Sequence, residues 1–174
     1  GRARSLRLNG ARISGQLALD GASIGHQIEL WNCYFEEPIL LRGAHTRRIS
    51  LAGSRVPELR LHNLDVDGEL AFERISTAGL VDLADASVSR SVRFIEARLT
   101  NHHGPALMGE RMRTGGALLC QSLTATGEIR LPGARIGGII NLAGAQLRSG
   151  RGTALDGNGL TVGGTVFCDP RRGQ

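Results

Sequence analysis

The stretch LRLNGARISGQLALDGASIGHQIEL, Leu6 to Leu30, sets the fold. Its apolar side chains come in pairs with one residue between them: Leu6/Leu8, Ala11/Ile13, Leu17/Leu19, Ala22/Ile24 and Ile28/Leu30. Successive strand side chains point to opposite faces, so each pair supplies two inward residues on a very short strand, and the residues between pairs turn a corner. A helix does not fit, because this spacing leaves no continuous apolar stripe on a 3.6-residue period. Gly10, Gly15, Gly21 and Gly25 would each weaken such a helix by about 1 kcal/mol.

The ratchet continues through Cys33/Phe35, Ile39/Leu41, Ala44/Thr46, Ile49/Leu51, Ser54/Val56, Leu59/Leu61, Leu64/Val66, Leu70/Phe72, Ile75/Thr77, Val81/Leu83, Ala86/Val88, Val92/Phe94 and Ala97/Leu99. Steps of five and six residues tend to alternate early in the chain, and large pairs tend to alternate with pairs that begin with a small residue. An even number of faces per coil explains both, so the expected fold is an all-β parallel β-helix, a solenoid with four-faced coils of about 21 to 22 residues. A three-faced coil of about 17 residues is the alternative. The chain makes roughly seven coils, and at ~4.8 Å per coil the rod is about 35 Å long. Residues 1–174 are expected to form one domain stabilised by neighbour-to-neighbour stacking, and a fragment of a longer solenoid, since neither end resembles a capping helix.

A longer repeat marks the last third. GPALMGERMRTGGALLC, Gly104 to Cys120, returns as GTALDGNGLTVGGTVFC, Gly152 to Cys168. Two coils leave about four residues over, which predicts inserted loops near 100–105 and 148–153 on the same edge of the rod. Between them Ile129/Leu131, Ala134/Ile136, Ile140/Leu142 and Ala145/Leu147 restore the pairs.

The inward pairs resemble those of the pentapeptide-repeat proteins, whose motif is A-[DN]-L-x-x. Ala11-Arg12-Ile13, Ala22-Ser23-Ile24, Ala86-Ser87-Val88, Ala97-Arg98-Leu99 and Ala134-Arg135-Ile136 are the nearest matches. The resemblance implies a right-handed quadrilateral β-helix. Six-residue steps, few Asp or Asn between the inward residues, and Leu or Ile in half of the small positions make the chain a divergent relative. Its G-x-L-x-L-x-G-A-x-I phrasing, with Arg as the basic residue and no Lys, looks like chains from high-GC actinobacteria. Chains of that look often carry the label membrane-associated oxidoreductase. An oxidoreductase needs a dinucleotide fingerprint, a redox Cys pair or metal ligands, and the Gly-Gly pairs at 115/116, 137/138 and 163/164 do not form G-x-G-x-x-G before a helix.

The net charge of +5 and pI near 10.3 favour anionic partners. Acids concentrate between Glu58 and Ser89, and Arg from Arg90 onward. Cys33, Cys120 and Cys168 lack metal or disulfide spacing and lie in core pairs, so buried thiols in a cytoplasmic, reducing compartment are expected, with membrane association as the alternative. No apolar run approaches the ~18 residues of a membrane span.

The middle residue of each pair faces outward, so every fourth pair contributes to one vertical column. On the second face the column reads Arg12, Tyr34, Arg55, Ser76, Arg98. It is either a row of guanidinium groups with an aromatic between them, able to grip carboxylates or phosphates, or a solvated face that keeps the rod soluble. A second basic patch is expected around Arg111, Arg113, Arg130 and Arg135, with Arg113 and Arg135 on a fourth-face column one coil apart; an ordinary surface ion network, with Glu110 and Glu128 neutralising the arginines, is the other reading. His102 and His103 in the first loop have no Cys, Asp or Glu at ligand spacing, so no metal and no cofactor are expected.

The expected function is a non-enzymatic scaffold that presents side-chain ladders to a protein partner or self-associates. Binding of the Arg column to an anionic surface, such as a membrane or nucleic acid, is the alternative. Some pentapeptide-repeat proteins mimic DNA and occupy type II topoisomerases, a role that the net positive charge disfavours.

Overall fold

Two inward side chains per rung and a corner after each rung are what the chain adopts. The computed structural model describes residues 5–150 and 152–170, in which mostly two-residue strands stack in parallel and no helix occurs. The strands form a β-solenoid of about seven coils with four faces. Second-face rungs run from Arg12–Ile13 to Gln146–Arg148, and third-face rungs from Leu17–Ala18 to Leu155–Asp156. The fourth and first faces are fused into one 13-stranded sheet, because Ser23–Trp31 and His45–Ser50 run through the corner between them.

The alternation of step lengths follows from two kinds of corner. Five-residue steps after the first and third faces are tight turns, as where Ala22 N donates to Leu19 O (3.1 Å) and Ser54 N to Leu51 O (3.0 Å). The residue closing the turn starts the next pair in a crowded inner corner, which accounts for Ala and Ser at so many of these positions. The third turn residue needs positive φ, which Gly21 (+69°) and Gly53 (+69°) adopt without strain. Asn32, Asn63, Arg74, Asp85, Glu96, Arg111 and Ser122 take the same conformation. Each donates its amide to a carbonyl on the next coil, Arg74 to Ile95 and Asp85 to Glu110 (both 2.9 Å), so the stack enforces what the residue type disfavours.

The column of inward residues is the core. Leu59, Leu64, Leu70, Ile75, Val81, Phe94 and Leu99 are fully buried, and the rings of Phe72 and Phe94 pack with centroids 5.5 Å apart. Burial declines in the outermost coils, where fewer neighbours stack. Leu6 is 50% exposed and Val166 48%. The same gradient corrects one expectation: Cys33 and Cys120 are buried thiols, whereas Cys168, on the outermost C-terminal rung, is exposed.

The registers grow by four residues wherever a loop is inserted. Arg98 lies opposite Thr124 and Ile129 opposite Leu155, compared with the shorter Arg12 to Tyr34 coil. The insertions occupy the corner between the second and third faces, one after Arg98–Thr100 and one after Gln146–Arg148.

Candidate functional site

The second-face column is in register: Arg12 pairs with Tyr34, Tyr34 with Arg55, Arg55 with Ser76, and Ser76 with Arg98. Arg12, Tyr34, Arg55 and Arg98 are exposed. Arg12 spans two roles, with its guanidinium over the Tyr34 ring (5.2 Å to the centroid) and its Nε donating to Glu36 (2.8 Å). Arg55 and Arg98 have no ion pair or side-chain hydrogen bond among the described residues. A shallow hollow of about 250 Å³ opens between Tyr34, Arg55, Pro57, Ser76 and Ala78. The column therefore offers two uncommitted guanidinium groups about 10 Å apart, two coils of strand spacing, with an aromatic face and a hollow beside them.

On the fourth face Arg113 lies opposite Arg135, and both are exposed. Arg113 helps lower the pKa of Asp85, for which the hydrogen bond from Arg111 is the largest cause. Arg111 Nε donates to Asp85 Oδ1 (2.7 Å) and its Nη1 to Glu110 (2.9 Å). Arg130 does not join this group, since its rung belongs to the third face. Arg113 and Arg135 thus share the fourth face, Arg111 sits at the corner before it, and Arg130 lies on the third face.

Sequence reading did not bring His45 together with Asp65 and Asp67, although a one-coil step in the register is the signal that does so. His45 lies opposite Asp65, and its Nε2 is 2.8 Å from Asp67 Oδ2. One ligand atom from each residue can be chosen so that all three lie within 4.8 Å of one another, which is a nitrogen and two oxygens suited to a divalent cation. All three residues are exposed, and Asp67 shares its surface depression with Arg47, Arg48 and Arg90, whose charge opposes cation binding. The cluster is satisfied as a His–carboxylate contact.

Several other acids of the central coils are paired with arginines. Arg48 bridges Glu29 (3.1 Å) and Glu69 (3.0 Å), Arg7 also contacts Glu29, Arg60 contacts Glu58, and Arg93 contacts Glu73. Glu29 is 5% exposed although it points outward, held beneath these two guanidinium groups. No carboxylate pair with a raised pKa occurs among the described groups; Asp20, Glu36 and Asp85 are lowered, each chiefly by a hydrogen bond from an Arg.

The Gly-Gly pairs have a packing role. An added Cβ on Gly137 would lie 2.6 Å from Gly115 O, and one on Gly163 would collide with Gly137 O. These glycines let the corner after the fourth face stack backbone on backbone. His102 lies with Gly104, Glu128 and Arg130 around a cleft of about 430 Å³ between the inserted loops.

No family model, curated protein or solved structure matches the chain. No helix among the described residues is long and apolar enough to cross a membrane.

Proposed function

We propose that the chain is a non-enzymatic interaction scaffold, a divergent relative of the pentapeptide-repeat proteins from an actinobacterial source, that binds an acidic protein segment along its second face. The observation that carries this reading is the in-register column of exposed Arg12, Tyr34, Arg55 and Arg98, in which Arg12 is paired with Glu36 but Arg55 and Arg98 lack acid partners among the described residues, whereas Arg7, Arg42, Arg48, Arg60, Arg93 and Arg111 have them. Planar guanidinium groups grip carboxylates in two-point fashion, losing less entropy per hydrogen bond than a flexible ammonium would. Tyr34 adds an apolar contact beside the charge. Arg113 and Arg135 place a separate basic pair on the fourth face, across the rod from this column. Two buried thiols favour a reducing cytoplasm.

The test is fluorescence anisotropy of the full chain with a labelled oligoglutamate peptide, a single-stranded oligonucleotide and phosphatidylserine vesicles. Peptide binding that weakens steeply with salt and disappears in Arg55→Glu/Arg98→Glu is the expected result. Equal affinity for all three probes would support the second reading, a general anionic-surface binder, which the net charge of +5 favours. Peptide binding that survives both charge reversals, or no binding to any probe, would overturn the assignment to this column.

A further inference from the structure

The cleft between the two inserted loops lies apart from the Arg column, on the corner of the second and third faces, and its walls carry a different kind of chemistry. Asn101 braces the first loop, donating to Pro105 O (2.8 Å) and accepting from His103 N (3.1 Å). Gly127 sits between the loops with φ +119°, and its amide donates to Arg148 O (2.8 Å). An added Cβ there would lie 2.8 Å from Asn101 O and 2.9 Å from Gly104 O. Gly104, Gly127 and Gly150 line the cleft without adding side chains to it, and its space of about 430 Å³ is within the range of small-molecule sites.

Two charged residues of opposite sign line this space without neutralising each other. Arg130 Nε is buried and has no hydrogen-bond partner among the described residues. Its column neighbours are Met108 and Asp156, and Asp156 Oδ1 accepts instead from Asn158 N (3.0 Å) in its own turn. Glu128, two residues before Arg130, uses its backbone carbonyl to accept from Ala106 N (2.9 Å), while its carboxylate has no ion pair among the described residues. A buried Nε–H without an acceptor is unfavourable, and a ligand oxygen reaching it would relieve the cost. The charges select the ligand. A phosphate dianion meets repulsion from Glu128, and a simple amine meets repulsion from Arg130.

We infer that the loop cleft binds a small zwitterion of the free amino acid class, its carboxylate on Arg130 and its ammonium on Glu128. Both charges of such a ligand are met, and the complex adds no net charge to the site. Thr126 and His102 also line the cleft and add polar groups to it.

Titration calorimetry of the full chain with L-serine and L-glutamine tests this, with L-glycerate, ethanolamine and inorganic phosphate as controls. Glycerate replaces the ammonium of serine by a hydroxyl, and ethanolamine lacks its carboxylate. Saturable binding of at least one amino acid is expected, with the three controls about tenfold weaker or more, the loss of one charge-assisted hydrogen bond. Arg130→Gln and Glu128→Gln should each weaken it about tenfold at unchanged melting temperature, and Glu128→Gln should bring glycerate level with serine. Absence of saturable binding by both amino acids, glycerate or phosphate binding as tightly as serine, or full binding in Arg130→Gln would overturn the inference. Arg55→Glu/Arg98→Glu should leave the cleft's binding unchanged, which separates a failure here from a failure of the second-face reading.

Discussion

The guanidinium of Arg12 lies across the Tyr34 ring one coil away and donates to Glu36, so a single side chain ties an outward aromatic to an acid at the following corner. The hydrogen bond from Arg12, and a weaker contribution from Ser14, holds the Glu36 carboxyl below the usual range. Arg42 does the same for Asp20. Carboxyls depressed in the fold stabilise it above their unfolded pKa values, and the contribution is lost as pH falls through the folded ones. Thermal stability should therefore be flat above about pH 5 and fall below about pH 4. The decline should be shallower in Glu36→Gln and Asp20→Asn, and smaller in high salt, because both pairs are exposed. Melting curves across this pH range check the sign.

Truncation in the middle of the rod should cost far more than at its edge. Phe94 is fully buried against Phe72, so Phe94→Ala should destabilise by about 3 to 5 kcal/mol. Leu155 occupies an inward third-face rung yet is 40% exposed, and Leu155→Ala should cost about 1 kcal/mol or less. Urea unfolding of both variants makes the comparison.

The three thiols should separate by reactivity. Burial pushes the Cys120 pKa up to about 12, so it stays a protonated, unreactive thiol at pH 8. Cys33 is buried, with its Sγ 3.3 Å from Trp31 O. Cys168 is exposed. Titration with a thiol reagent at pH 8 should give one fast equivalent, absent in Cys168→Ser, and two that appear only on unfolding. Fast labelling of Cys120 would contradict its position in the stack.

The inward ladder was legible because a two-residue alternation repeated at five and six residues puts the paired residues inside a solenoid whether the coil has three faces or four. Leu59, Leu61, Val81 and Leu83 read inward by pattern and are buried. The Arg12 to Arg98 column followed from that register alone. Corners were less legible: Arg74, Asp85 and Glu96 take left-handed φ that their types disfavour, because inter-coil hydrogen bonds decide the conformation. Contacts between coils were harder still. Pairing His45 with Asp67, or separating Arg130 from Arg113, needs the coil register to the exact residue, and inserted loops shift it. Exposure of Cys168 depends on how many rungs stack above it, which a local pattern does not carry.

The stacked glycines at the fourth corner give the sharpest test of that register. Gly25 occupies the first coil, where an added Cβ would meet nothing within 4 Å and φ lies outside the left-handed region. Gly137 belongs to the same corner, but its added Cβ would lie 2.6 Å from Gly115 O and 2.9 Å from Thr114 O, both backbone atoms tied into the coil below. Those atoms cannot swing aside as a flexible side chain could. Gly25→Ala should therefore be neutral or stabilise by up to about 1 kcal/mol, by restricting the unfolded chain. Gly137→Ala should destabilise by about 1 to 3 kcal/mol through overpacking. If chemical denaturation showed equal effects at the two positions, the backbone-on-backbone stacking of the later coils would be wrong, and with it the alignment that places Arg113 opposite Arg135.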